Sequence, residues 1–279
     1  MLGKLLKYEM RSTSRFMWIL YGAVIVMGLI TALVLRLDIA LSGGAVVEDG
    51  YISAETTNTL QAVLTFISVS LYALLLIAME VLTLVMIVLR FWKNLLGGEG
   101  YLMHTLPVPT WMLVTSKLII AFFWEVLAFI TAMISGSIIL SVSGVWKEMF
   151  GNDSFREIFR QIFEGMGVNI NIVKFILIVL FAALAGILQF YFSMAIGNLA
   201  NKNKILFSVL AFIGINVVVS IIRSLITVGR MAVMGVFSGN ANITGFDLSD
   251  WPTLIFQAVL AVGFFFGTYL IMENKLNLE

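Results

Sequence analysis

From Leu60 to Leu89 the chain runs about thirty residues with one charged side chain, Glu80. Leu118–Leu140 repeats the pattern, with Glu125 as its single charge. A helix at the surface of a soluble protein carries a charged face, and neither run has one. Both are long enough to cross about 30 Å of hydrocarbon. Four further runs have this character: Phe16–Leu35, Val173–Ile196, Ile205–Ile222 and Leu254–Met272. Inside a bilayer every backbone N–H and C=O must find a partner within the segment, which makes such runs helices. The sequence therefore predicts an all-α fold. It is a polytopic membrane protein with six transmembrane helices at about 16–35, 65–89, 118–140, 173–196, 205–222 and 254–272, in one transmembrane domain over 1–279. Composition agrees: 12% of residues are charged, about half the usual share in a soluble domain.

The same composition excludes several function classes. A net charge of +1 supplies no field for nucleic acid, and the aromatic residues lie in apolar runs rather than among basic ones. With no cysteine there is neither thiolate chemistry nor a Cys-ligated metal. His104 is the only histidine, so no metal site or His-based triad can be assembled around it. Leu41-Ser-Gly-Gly44 looks like the start of an ATPase signature. The chain nevertheless lacks a G-x-x-x-x-G-K-[S/T] loop, so these residues are expected to form a turn. Gly97-Gly-Glu-Gly100 follows a membrane helix rather than a βαβ strand, which fits a helix cap and not a phosphate loop. No enzymatic activity and no cofactor are expected. The first apolar run exceeds a signal h-region and lacks a good cleavage site, so it reads as an uncleaved span.

Basic residues give the orientation. With the amino terminus inside, the inner segments hold Lys4, Lys7, Arg11, Arg15, Arg90, Lys93, Lys117, Lys202, Lys204 and Lys275. The outer ones hold Arg36, Lys147, Arg156, Arg160, Lys174, Arg223 and Arg230. Both termini are then cytoplasmic. Leu2, Leu5, Leu6 and Met10 oppose Lys4, Lys7 and Arg11 at helical spacing, which predicts an amphipathic interfacial helix over 2–14. An extracytoplasmic helix is expected at 154–166, where apolar residues recur at i, i+3, i+4, i+7 and i+8 behind a Ser154/Glu157 capping pair. Ile205–Phe237 is too long for one span and is expected to bend near Ile222–Arg223 into a second outer helix.

Glu80 and Glu125 lie at similar depth, about 15 Å and 12 Å from the inner boundary. A carboxylate at mid-span costs roughly 2.5–3.5 kcal/mol, so each must face protein or water, or be protonated. They form a candidate intramembrane polar site, either a proton site or carboxylates bonded to Ser/Thr hydroxyls of neighbouring helices. Small residues four apart (Ala128/Ala132/Gly136, Ala182/Gly186, Gly263/Gly267) permit close helix approach.

Between the second and third runs lies a polar, Gly- and Pro-marked island, Arg90–Lys117. Irregular backbone of this kind cannot sit in lipid, so it is an aqueous connector. Its wording, Gly98-Glu-Gly-Tyr-Leu102, Thr105-Leu-Pro-Val108 and Ser116-Lys-Leu118, resembles the cytoplasmic loop of ABC-2-type transporter permeases. The resemblance extends to the basic amino-terminal stretch, the six spans and the short tail. It implies a bacterial plasma-membrane exporter subunit that pairs with a second permease subunit and rests on cytoplasmic ABC ATPase subunits. The cargo would be amphipathic, lipid-like or peptide. In that family the loop contacts the ATPase, which makes Gly98, Glu99, Gly100, Tyr101, Leu102, Thr105, Leu106 and Pro107 the expected coupling residues, on a short helix from Tyr101 to Leu106. The long 141–172 connector departs from the better-known members. Two alternatives from other classes remain: a proton-coupled secondary transporter using Glu80 and Glu125, and a non-transporting membrane scaffold or immunity protein docking through the outer helix.

Overall fold

A computed structural model describes residues 2–41, 46–48, 51–53, 59–97, 100, 108–142, 172–200, 202–238 and 251–274. Six long helices account for nearly all of them: α1 (Leu2–Leu41), α2 (Thr59–Phe91), α3 (Thr110–Val142), α4 (Ile172–Gly197), α5 (Lys204–Ser238) and α6 (Trp251–Asn274). Each contains a segment long and apolar enough to cross a membrane. The chain is an all-α, multi-pass membrane protein. One small exception to its helicity is an antiparallel pair, β1 (Val46–Glu48) and β2 (Tyr51–Ser53), in which Val47 faces Ile52.

The helices outrun the apolar segments that announce them. α1 starts at Leu2, so residues 2–14 are helical but form its first turns rather than a separate interfacial helix. At 1.5 Å per residue, α1 is about 60 Å long. α5 likewise continues through Ile222–Arg223 without a break. Nothing there interrupts the i→i−4 ladder: proline is absent, and Ser224 and Thr227 bond back to the carbonyls of Ser220 and Arg223, each at 2.9 Å. Pro252 lies in the first turn of α6, where a missing N–H costs nothing. The expected helices at 101–106 and 154–166 fall outside the described residues.

The residues divide into two compact units, and α1, α2 and α3 contribute to both. One unit comprises Lys7–Met86 and Phe123–Arg160. Its buried positions follow a spacing near 3.5 residues: Thr13, Met17, Tyr21, Val24 and Thr31 on α1, and Trp124, Ala128, Thr131 and Ser135 on α3. Their outward neighbours are leucine, isoleucine and phenylalanine, among them Leu33, Phe66, Ile77 and Phe129. Lipid tails are as apolar as leucine, so membrane helices seat small and hydroxyl residues in the seam and leave the large apolar ones to the lipid.

Hydrogen bonds fix the register of this unit. Thr31 donates to the Ser68 carbonyl at 3.3 Å, Thr65 donates to Asp38 at 3.2 Å, and the hydroxyls of Tyr72 and Ser135 lie 2.8 Å apart. Contacts from α1 to α2 pair rising with falling numbers, so the two run antiparallel. Those from α1 to α3 rise together, so these two run parallel.

The other unit comprises Met1–Leu6, Ile87–Phe122 and Gln161–Glu279. Aromatic plates hold it together. Phe91 stacks on Tyr191 with centroids 3.9 Å apart, Phe190 on Phe212 at 4.5 Å, and Phe192 on Phe264 at 5.6 Å. Two close approaches require glycine. A Cβ on Gly267 would lie 2.5 Å from the Phe192 ring, and one on Gly197 would meet both the hydroxyl and the backbone nitrogen of Ser208. The second approach closes the tight α4–α5 turn, where Asn203 takes φ 55°, a conformation asparagine tolerates better than most residues. Gly263 has open space around it, so the Gly263/Gly267 pair serves packing within the chain at its second member alone.

Candidate functional site

Two groups of residues carry chemistry, one in each unit. The first is the frame of the Arg90–Lys117 connector. After Phe91 the helix does not end in an α-turn but loosens into one π-turn, Trp92–Leu96. Gly97 caps it in an extended conformation (φ −92°, ψ −167°) and donates its N–H to the Trp92 carbonyl, five residues back, at 2.8 Å. The Gly100 N–H then returns to the Gly97 carbonyl at 2.8 Å. π-turns inside α-helices recur at functional sites. On the far side the chain re-enters at Val108–Pro109, and the Met112 N–H bonds the Pro109 carbonyl as α3 begins.

Both ends of the connector are anchored. Asn94, Leu95 and Leu96 are buried before it, and Leu113, Val114, Ser116 and Lys117 after it. Lys117, counted above among the loop's charges, is only 5% exposed. Of the expected coupling residues, Gly100 is described and buried. Gly98, Glu99, Tyr101, Leu102, Thr105, Leu106 and Pro107 lie outside the described residues.

The second group surrounds the two carboxylates. Tyr21 of α1 places its hydroxyl 3.4 Å from Thr83 Oγ1 of α2 and donates to the Trp124 carbonyl of α3 at 3.0 Å. The indole N–H of Trp124 donates to Thr13 Oγ1 at 2.9 Å, and Thr13 itself bonds the Glu9 carbonyl at 3.0 Å. Trp18 and Phe123 set their rings edge-on to Trp124. Glu80, three residues from Thr83, and Glu125, next to Trp124, are electrostatic neighbours of each other and of Tyr21. The two acids expected at similar depth are thus within electrostatic reach of each other. The structure does not give Glu125 the hydroxyl partner that the plainer expectation supplied: its Oε2 is buried with no hydrogen bond. The nearby hydroxyls of Thr13, Tyr21 and Thr83 bond one another, the Trp124 indole and backbone carbonyls instead.

Three features escape sequence reasoning. Asp38 is buried and helical in α1, hidden because the apolar run stops at Leu35. Tyr21, Thr83 and Trp124 form a network whose sequence signal is the recurrence of polar side chains every three or four residues inside apolar runs. On α5, Asn216, Ser220, Arg223 and Ser224 share one exposed helix face. The side chains of Asn216 and Ser224 are partnered by their own backbone.

Among the described residues no group of three or more His, Cys, Asp or Glu side chains stands ready for a metal ion. No protein-family model matches the chain, and no curated protein or solved structure matches it either.

Proposed function

We propose that this chain is the membrane subunit of an ATP-driven exporter of the ABC-2 type, working with a separate ATPase and moving an amphipathic, lipid-like or peptide cargo outward. The observation that carries this is the connector between α2 and α3. Its sequence resembles the ATPase-contacting loop of that family, and both of its ends are held in a packed core. A loop that receives force must be stiffly seated, because a slack one would absorb the push. Leu95, Leu96, Leu113 and Val114 supply that seating, and the π-turn sets the direction in which the chain leaves α2. The polar face of α5 supports a transport role as well, since exposed polar groups at membrane depth ordinarily face a water-filled path or a second subunit.

In this scheme ATP-driven closure of the ATPase presses on Glu99, Tyr101 and their neighbours, and α2 and α3 carry the displacement into the spans. The test is co-purification with the products of neighbouring genes in mild detergent. A Walker A protein should accompany the wild-type chain and be lost from Glu99→Lys/Tyr101→Ala, while membrane insertion stays normal. Full recovery of the ATPase with that double variant would remove the loop from the coupling path.

One observation favours a second reading, proton-coupled secondary transport: Glu80, Glu125 and Tyr21 are electrostatic neighbours, and one Glu125 oxygen is buried with no hydrogen bond. On that reading Glu125→Gln and Glu80→Gln each abolish transport in proteoliposomes that contain no ATPase. On the exporter reading such proteoliposomes show no transport to lose.

A further inference from the structure

The unit built from α4, α5 and α6 contains a groove that the proposed function does not use. It lies where the end of α2 meets α4 and α5, and its volume is about 280 Å³. Leu89, Trp92, Phe190, Met194, Ile205 and Phe212 line it. Its two serines do not make it polar. Ser193 donates to the Phe190 carbonyl at 2.8 Å and Ser208 to the Lys204 carbonyl at 2.9 Å, so both hydroxyls are already committed. A groove with this lining at membrane depth takes hydrocarbon.

The residues next in the chain to two lining positions have a different chemistry. On the α2 side, Arg90 and Lys93 bracket Trp92 in the last turns of the helix. On the α5 side, Lys202 and Lys204 flank Asn203 in the α4–α5 turn, directly before Ile205. Lys93 and Lys202 are exposed. The amino-terminal end of α5 is itself electropositive, and its first turn contains no acidic residue to answer it. Tryptophan at this level is typical of the boundary between hydrocarbon and headgroups. An apolar slot whose lining residues Trp92 and Ile205 are chain neighbours of Lys93 and Lys204 matches a molecule with hydrocarbon at one end and a phosphate at the other.

We propose that this groove is a binding site for an anionic phospholipid. One acyl chain lies along Phe190, Phe212 and Trp92, and the headgroup phosphate is held by Lys93, Lys202 and Lys204. Basic pockets between membrane helices recognise anionic headgroups in this way. The site is independent of the exporter proposal, because it follows from the groove and its rim whatever the chain transports.

The test uses the full chain, stripped of lipid in detergent and titrated with dioleoylphosphatidylglycerol or dioleoylphosphatidylcholine while native mass spectrometry counts the adducts. The wild-type chain should retain the anionic lipid at least about tenfold more tightly. Lys93→Gln/Lys202→Gln/Lys204→Gln should erase that preference and leave phosphatidylcholine binding unchanged. Val209→Trp, which fills the groove from an exposed position, should weaken both lipids. Millimolar inorganic phosphate should not displace the lipid. Equal retention of the two lipids, an unaltered preference in the triple variant, or the same loss from Lys4→Gln/Lys7→Gln/Arg11→Gln would overturn the site. Displacement by free phosphate would also overturn it, since the acyl groove would then contribute nothing.

Discussion

The two compact units solve one problem with different materials. In the α1–α3 unit the seam is made of hydroxyls, an indole N–H and a carboxylate, which meet in hydrogen-bonded rungs from Thr13–Trp124 to Asp38–Thr65. In the unit of α4, α5 and α6 the contacts are ring on ring, with Gly197 and Gly267 letting the backbone come close. Neither unit draws much on the hydrophobic effect, because in a bilayer the outside is as apolar as the inside. A hydrogen-bonded rung fixes register but tolerates a small change of spacing. Stacked plates tolerate sliding but not an intruding atom. The acids and the polar network belong to the first kind of seam, the lipid groove to the second.

The comparison predicts a ranking of mutational costs. The largest falls on the close approaches. Gly197→Leu drives a side chain into Ser208 at the α4–α5 turn and should cost about 3 kcal/mol, seen as a sharp loss of monodisperse protein and a lower Tm in detergent. A normal Tm would mean that the α4–α5 turn can open without cost.

The rungs come next. Trp124→Phe and Thr13→Val each remove one partner of the 2.9 Å bond and should cost about 1 kcal/mol. Their double variant should cost little more than either single one, since the same bond is lost each time. Additive losses would show that the bond is incidental. The smallest effect is expected on the exposed face of α5. Leu210→Ala should shift stability by about 0.5 kcal/mol or less, because lipid takes the place of the missing atoms. A large loss there would reveal a protein neighbour on that face.

The six helices were legible because burial in hydrocarbon demands long uncharged runs, and such runs are hard to mistake. Their ends were not. Past Leu35 the apolar signal fades, but the i→i−4 ladder does not depend on hydropathy, so α1 continues to Leu41, and α5 runs to Ser238 without the bend expected near Ile222–Arg223. The similar depth of Glu80 and Glu125 could be read from the sequence by counting residues along each run. Tyr21 and Trp124 could not be seen beside them, because aromatic residues in a membrane run look alike whether they face lipid or a seam. The β1–β2 pair has a sequence signal of its own: Asp49-Gly50, between β-branched and aromatic residues, is a favoured hairpin dipeptide. The π-turn has none: Asn94, Leu95 and Leu96 are buried in it, but nothing in their residue types separates a fourth from a fifth carbonyl back.

That turn has an angular consequence. Closing on Trp92 rather than Lys93 inserts one residue into the winding, and one residue is about 100° of arc. Gly97 therefore departs from α2 at a bearing set by arithmetic along the chain. Deleting the exposed Lys93 would restore ordinary winding and swing that bearing round by the same arc, with every residue from Gly97 to Lys117 still present. The heading of the connector is a matter of phase.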